Sequence, residues 1–338
     1  LPKQLKQQMT EKTIIGIGNA LMDIVVKLPN DDILYRNALP KGSMTLVDAS
    51  VSESIRQQTE GMEKILTPGG SVANTIYGLA CLGAGASFIG KVGDDELGRL
   101  YGNELTRFGA RPQLFQSETT PTGVAMALVT PDSERTFGTY LGAAIELSAS
   151  DLTPHLFAGH QIAYIEGYLV QNHDLVRQAA QLARETGLTI ALDLASYNVV
   201  ESNRAFLDGI VREYVDILFA NEDEAKAFTG KEPREALTEM AGLCNMAVVK
   251  TGSRGSLVQR GTEVHEIGIT GSHCIDTTGA GDLYASGFLY GLSRSLPLEI
   301  CGKIGAITAG KVITVYGARM EPDLWDSIHR EIAALIPS

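Results

Sequence analysis

The sequence predicts an α/β fold: a layered domain with a mostly parallel central sheet, helices on both faces, and a small β-strand appendage. Three observations predict it. Over residues 160–338, short apolar runs of strand length alternate with segments of helical period. Glycines stand at strand-to-helix turns, as in GGSVAN (69–74) and TGAGD (278–282). Two stretches, about 23–50 and 111–140, break the alternation with strand-rich patterns and would form the appendage.

The elements follow in order. TIIGIGN (13–19) is a short buried-strand pattern, DIVVKLP (23–29) a second extended stretch, and GSMTLVDAS (42–50) is again strand-like. After Gly69 and Gly70, the apolar residues Val72, Ile76, Leu79 and Ala80 recur at helical spacing. ASFIGKVG (86–93) is a strand, and DDELGRLYGNELTRFG (94–109) is a helix with an acidic first turn and a glycine stop. PTGVAMALVTPDSERTFGTYLG (121–142) alternates around a PDSE turn, the pattern of an antiparallel hairpin. Strands at 162–169, 188–194, 217–221 and 246–252 then interleave with helices beginning at His173 and Glu222. Such alternation builds parallel strands through right-handed crossovers. No Pro/Ser-rich linker divides the chain, so a single domain is expected over 10–338. Residues 1–8 are polar, precede Met9 and read as a leader outside the fold.

Composition removes several function classes. The chain has 338 residues, 44% hydrophobic and 20% charged, with a net charge of −12. A nucleic-acid binder carries a basic face, so that class is not expected. An anionic ligand would have to be held by local donors and metal rather than by the overall field. Cys81, Cys244, Cys274 and Cys301 form no CxxC pair, which fits a reduced, cytoplasmic protein. The six histidines form no HExxH, so no zinc site is expected. No apolar run reaches the roughly 18 residues that a membrane span needs.

The segment DTTGAGDLYASGFLYGL (276–292) carries the chemistry. Gly279, Ala280 and Gly281 place a bare backbone at the mouth of a helix, directly before Asp282. A helix N-terminus offers unpaired N–H groups and partial positive charge, and glycines permit close approach, so the turn suits a phosphoryl group. Asp282 beside it would orient a hydroxyl and accept its proton. A merely capped helix has the same local pattern. Two further matches mislead. GIGNAL (16–21) lacks the third glycine of a dinucleotide fingerprint, which argues against a dehydrogenase, and GAITAGKV (305–312) has Val312 where a P-loop needs Ser or Thr.

DTTGAGD, taken with GGSVAN, resembles the two signatures of the ribokinase (PfkB) family of sugar and nucleoside kinases, and the likeness runs from Thr13 to about Arg319. The resemblance implies a ribokinase-like three-layer α/β/α domain with a β lid. It implies transfer of the γ-phosphoryl of Mg-ATP to a primary alcohol, with Asp282 as base, Gly279, Ala280 and Gly281 as anion hole, and Mg2+ bridging the phosphates. GNALMD (18–23) is similar to the GNPLLD of adenosine kinases, which puts Asn19 and Asp23 on ribose hydroxyls. Gly69, Gly70 and Asn74 match the family's GGxxxN, again on the sugar. Asn221 and Glu224 match its NxxE, which places Asn221 near phosphates and Glu224 on a magnesium-bound water.

The same likeness assigns Thr251, Gly252, Gly255 and Thr278 to the nucleotide and leaves Lys250 a structural role. Arg135, in SERTF, matches a lid arginine that reaches the transferring phosphate. Asp276 and Thr278, with VYGAR (315–319), resemble a monovalent-cation site, with K+ as the ion. Tyr168 is followed by Leu169, where adenosine kinases carry two aromatics against the purine. An adenosine-like nucleoside and a free sugar (ribose or fructose) therefore both stay open as substrates. Dimerisation through the lid is a further implication. A non-catalytic binding protein on this fold would have a damaged base or anion hole, and both are present here.

Overall fold

The computed structural model describes residues 13–132, 134–271 and 273–336. In chain order its strands are β1 (Thr13–Ile17), β2 (Leu21–Lys27), β3 (Met44–Leu46), β4 (Lys64–Gly69), β5 (Gly85–Gly93), β6 (Arg111–Ser117), β7 (Thr122–Val129), β8 (Arg135–Gly142), β9 (Ile162–Glu166), β10 (Thr189–Asp193), β11 (Ile217–Asn221), β12 (Met246–Lys250), β13 (Ser256–Arg260) and β14 (Glu263–Ile267). They form two sheets. The larger has nine strands in the order β14-β13-β12-β11-β10-β9-β1-β5-β6, and the smaller has five in the order β3-β8-β7-β2-β4. From β12 to β6 every neighbouring pair in the large sheet is parallel, while β13 and β14 add an antiparallel edge.

Side chains alternate across a strand, so a sheet covered on both faces must be apolar throughout. In β1, Ile14 joins one buried cluster while Ile15 and Ile17 join another, and in β9 Tyr164 and Ile165 divide the same way. These two clusters are the two faces of the sheet, and helices cover both. The fold is the three-layer α/β/α sandwich with a β lid that the sequence predicts.

Two lid boundaries differ from the sequence reading. Residues 111–117, expected in the lid, form β6 and pair in parallel with β5 at the edge of the large sheet. Residues 64–69, not expected there, form β4 and pair with β2 in the lid. Pairing partner decides membership, and partner choice is not encoded in the local apolar pattern. The strand expected across 42–50 shrinks to Met44–Leu46. It is followed by the helix Ala49–Gln58, opened by Asp48, whose carboxylate accepts the Val51 amide at 2.9 Å. The expected leader at 1–8 lies outside the described residues. Among the described residues, no helix is long and apolar enough to cross a membrane.

Parallel strands bring their C-terminal ends to one edge, where ligands bind in such sheets. Asn19, Glu166, Asp193, Asn221 and Lys250 all stand at or just beyond these ends. The helices Ser71–Cys81 and Ala280–Ser293 begin at the same edge. They approach closely, for a Cβ on Gly78 would lie 2.7 Å from Leu283 Cδ1.

Candidate active site

At the mouth of the helix Ala280–Ser293, Gly279 is the cap residue in a left-handed conformation (φ 77°). Only glycine takes that geometry cheaply, and a Cβ there would also press on Ala318 at 2.6 Å. Ala280 spends its amide on the Thr277 carbonyl at 3.1 Å. The amides of Gly279 and Gly281 have no partner among the described residues, so these two glycines, rather than all three small residues, present open donors.

Asp282 follows in the first turn. Ser71 Oγ donates to its Oδ1 at 2.7 Å, and Asn74 Nδ2 donates to its Oδ2 at 2.9 Å. Thr75 Oγ1 ties the Asp282 backbone carbonyl at 3.1 Å. Burial raises the Asp282 carboxyl above its ordinary value, while the bonds from Ser71 and Asn74 and the charge of Lys250 pull it back down. A desolvated carboxylate held in one orientation is what a hydroxyl base requires. Asn74 is buried, and its Oδ1 has no hydrogen-bond partner among the described residues. That orphaned acceptor fits an incoming hydroxyl. Ser71 is missed by the sequence reading, though it lies inside the quoted GGSVAN.

Beyond β1, Asn19 is buried and donates to Glu166 Oε1 at 2.7 Å, while Glu166 Oε2 accepts the Val72 amide at 3.3 Å. Desolvation pushes the Glu166 carboxyl up to about 7. Glu166 is a second residue that sequence reasoning missed. The signal for it was an acid closing the apolar run IAYIE.

Asp23 sits on β2 against Gly69, where any Cβ would strike its carboxylate. Gly70, at φ 93°, has the Asn19 carbonyl in the place a Cβ would take. The two glycines thus make room for Asn19 and Asp23 themselves. Desolvation raises the Asp23 carboxyl to about 7, against the opposing charge of Arg319. The Arg319 guanidinium lies 4.2 Å over the Tyr77 ring and donates to the Pro68 carbonyl. Its Nε and Nη1 have no partner among the described residues.

On the opposite side, Asn221 and Glu224 satisfy each other. Glu224 Oε2 accepts the Asn221 amide at 2.7 Å, Oε1 accepts Asn221 Nδ2 at 2.7 Å, and Asn221 Oδ1 accepts the Glu224 amide at 2.9 Å. This is a capping box. Desolvation and the neighbouring Asp193 raise Glu224 to about 7. No group of three ligating side chains that could cage a metal occurs among the described residues. Among the residues here, Glu224 is the carboxylate that would meet a magnesium-bound water, once its Asn221 bonds give way to it.

Thr251, Gly252 and Gly255 form the turn after β12. The Thr251 amide donates to the Gly255 carbonyl at 2.8 Å, and Gly252 is left-handed at φ 56°. A Cβ on Gly255 would strike the Ile267 carbonyl, so strand packing already demands that glycine.

Arg135, at the start of β8, reaches across the cleft to Asp276 Oδ2 at 2.6 Å and Thr278 Oγ1 at 3.3 Å, with Tyr316 5.4 Å beneath it. Asp276 Oδ1 accepts the Thr278 amide at 3.1 Å and hydroxyl at 2.8 Å, and its Oδ2 accepts the Gly317 amide at 2.6 Å. Loops 276–279 and 315–319 meet through the Gly317 amide. The charge facing Asp276 is a lid guanidinium.

Between lid and sheet lies a cavity of about 950 Å3. Asn19, Ser71, Glu166, Tyr168, Met44 and Leu46 are among its lining residues.

Known proteins share this fold. The profile of pfkB family carbohydrate kinases matches residues 43–324. A probable sugar kinase from Rhizobium etli superposes with a TM-score of 0.86 at 34% identity, covering 97% of this chain and 100% of that one. An adenosine kinase from Sinorhizobium meliloti gives 0.85 at 35% identity, covering 95% and 99%. The adenosine kinase of Saccharomyces cerevisiae is 26% identical over 329 residues, or 90% of this chain and 95% of its own. This chain thus belongs to the pfkB family of carbohydrate kinases and is an ATP-dependent kinase acting on an alcohol group.

Proposed function

We propose that the chain phosphorylates the primary hydroxyl of a nucleoside, with adenosine the first candidate. The observation that carries this reading is the mixed lining of the cavity. Polar residues such as Asn19, Glu166, Asn172 and Asn198 share it with the apolar side chains of Leu141, Met44, Leu46 and Ile145. Met44, Leu46 and Ile145 are each more than half exposed to solvent. A clustered apolar surface of this kind calls for an apolar ligand face. A ribose at the Asn19–Glu166 end leaves that surface to a flat base. A free hexose would leave it bare.

In the proposed reaction, Asp23 and Asn74 bind sugar hydroxyls, and Asn19 helps through the orientation that Glu166 gives it. Asp282 takes the proton of the attacking hydroxyl. The Gly279 and Gly281 amides receive the phosphoryl oxygens. Magnesium, when bound with ATP, neutralises charge along the phosphates. The remaining site roles run with this scheme: Asn221, Thr251 and Gly252 on the nucleotide, Glu224 on the magnesium water, and Tyr168 against the base. K+ at Asp276 and Thr278, which would have to displace the Arg135 guanidinium that Asp276 holds here, a homodimer through the lid, a cytoplasmic location and a single domain over 10–338 complete the proposal. The likeness to a probable sugar kinase supports ribose or fructose as the second reading.

The test is ADP release from Mg-ATP with adenosine, inosine, ribose and fructose in parallel, each with and without added K+. Turnover confined to the nucleosides is expected. Faster turnover of a free sugar would overturn the substrate assignment, and rates indifferent to K+ would remove the ion.

A further inference from the structure

Lys250 closes β12, and the sequence reading gives it a structural role. The structure gives it a different setting. Its ammonium lies 2.9 Å from Asp193 Oδ2. Asp193 is itself fixed, since its Oδ1 accepts the Ala195 amide at 3.0 Å and Tyr164 donates to its Oδ2 at 3.2 Å. Ala195 is one of the few non-glycine residues with a left-handed backbone, at φ 66°. Strain of this kind persists where the surroundings enforce it, and it clusters at functional sites.

The other side of the ammonium faces the anion hole. A Cβ built on Gly281 would lie 3.2 Å from Lys250 Nζ, so the bare Gly281 backbone leaves the ammonium beside the first turn of the helix. An ammonium has three N–H donors, and Asp193 takes one. Burial works against the Lys250 charge, and the carboxylates of Asp193, Glu224 and Asp282 outweigh it and hold its pKa above the ordinary value. A buried ion pair adds little net stability. Its place at the mouth of an anion-binding helix gives the charge another use.

We propose that Lys250 is a catalytic residue that contacts the transferring phosphoryl group from beside Gly281, with Asp193 as its positioning residue. The inference rests on the anion-hole placement proposed above. In the step, the bond from the γ-phosphorus to the ADP oxygen breaks as the acceptor oxygen bonds to phosphorus. Asp282 takes the acceptor's proton. Lys250 keeps its own protons and neutralises charge on a phosphoryl oxygen, and ADP leaves with the bonding pair.

The experiment must separate this role from simple neutralisation of Asp193. Lys250→Met alone strands a buried carboxylate, so the informative variant is Lys250→Met/Asp193→Asn, which removes both charges. ADP release is measured with Mg-ATP and the acceptor that the native chain uses fastest, beside a thermal melt. The expected result is a cooperative melt, acceptor KM within about threefold, and kcat lowered about 10²–10³-fold. A double variant with kcat within about threefold of native would show that Lys250 serves Asp193 only, and would overturn the proposal while leaving the kinase reading intact. Should the double variant fail to fold, Lys250→Arg carries the test, since it keeps the charge and the pair but displaces the donor. About a tenfold loss of kcat at unchanged KM is expected, and unchanged kcat overturns the proposal. A native chain that turns over no acceptor would overturn the site assignment together with this inference.

Discussion

Asp282 is held by two donors from a single helix turn, Ser71 and Asn74, and both lie some 210 residues away in sequence (separations of 211 and 208). Replacing its charge while keeping its shape is the cleanest probe. Asp282→Asn should lower kcat about 10²–10⁴-fold with Mg-ATP affinity little changed, read by single-turnover kinetics beside nucleotide titration. Asp23 gives a pH signature. Its carboxyl is raised from 3.8 to about 7, so below 7 it is protonated and a poor acceptor, and above 7 it is ionised. The acceptor's kcat/KM should therefore rise with pH and level off above about 7, and Asp23→Asn should flatten that limb. Arg319 pulls the Asp23 value down. Arg319→Met should accordingly move the limb to higher pH, and a limb that stays in place would show that Asp23 is not the group titrating. The residues that sequence reading found share one trait: they stand in compact motifs, as Gly279 to Asp282 do. Glu166, Asp193 and Arg319 are single polar residues at ends of apolar runs, and their partners are distant. Nothing within a few residues of Glu166 announces that Asn19, 147 positions earlier, will donate to it.

At the scale of elements, the Arg135–Asp276 ion pair joins the lid to the loop before the helix Ala280–Ser293. Arg135 and Asp276 are both largely buried, with side chains 12% and 9% exposed, so the pair is shielded from the salt that weakens surface bridges. A lid held down excludes water from the reacting phosphoryl. Arg135→Met should release it. The expected result is about a tenfold rise in ADP formation without acceptor, relative to the coupled rate, measured by parallel ADP and phosphorylated-product assays. A coupling ratio equal to native would show that the lid is held by other contacts. The hairpin of β7 and β8 was legible because alternation around a turn is a local signal. The assignment of β6 to the body and β4 to the lid was not, because each is settled by the strand it meets.

For the whole molecule, the three-layer architecture was legible because alternating strand and helix periods leave few topologies open. The antiparallel edge of β13 and β14 and the late helices Leu298–Val312 and Pro322–Leu335 followed less directly. Leu298–Val312 is apolar nearly all round, since it packs both on the helix Ala280–Ser293 and under Pro322–Leu335, and such a helix shows little periodicity to read.

The smaller sheet has a history as well as a shape. Its strands are drawn from separate excursions of the chain, and β2 pairs in register with β7, Leu21 opposite Gly123. Between them the chain lays down β5 and β6 of the other sheet. As the polypeptide emerges during synthesis, β2 has only the antiparallel β4 to pair with until the segment near residue 129 has followed. Ordering so long a loop is rewarded only once its distant contacts close. Every strand of the cover has emerged by Gly142, before β9 to β14 of the large sheet exist, so the enclosed site, which needs Glu166 and Asp282, appears only after the platform has been completed beneath a cover already made.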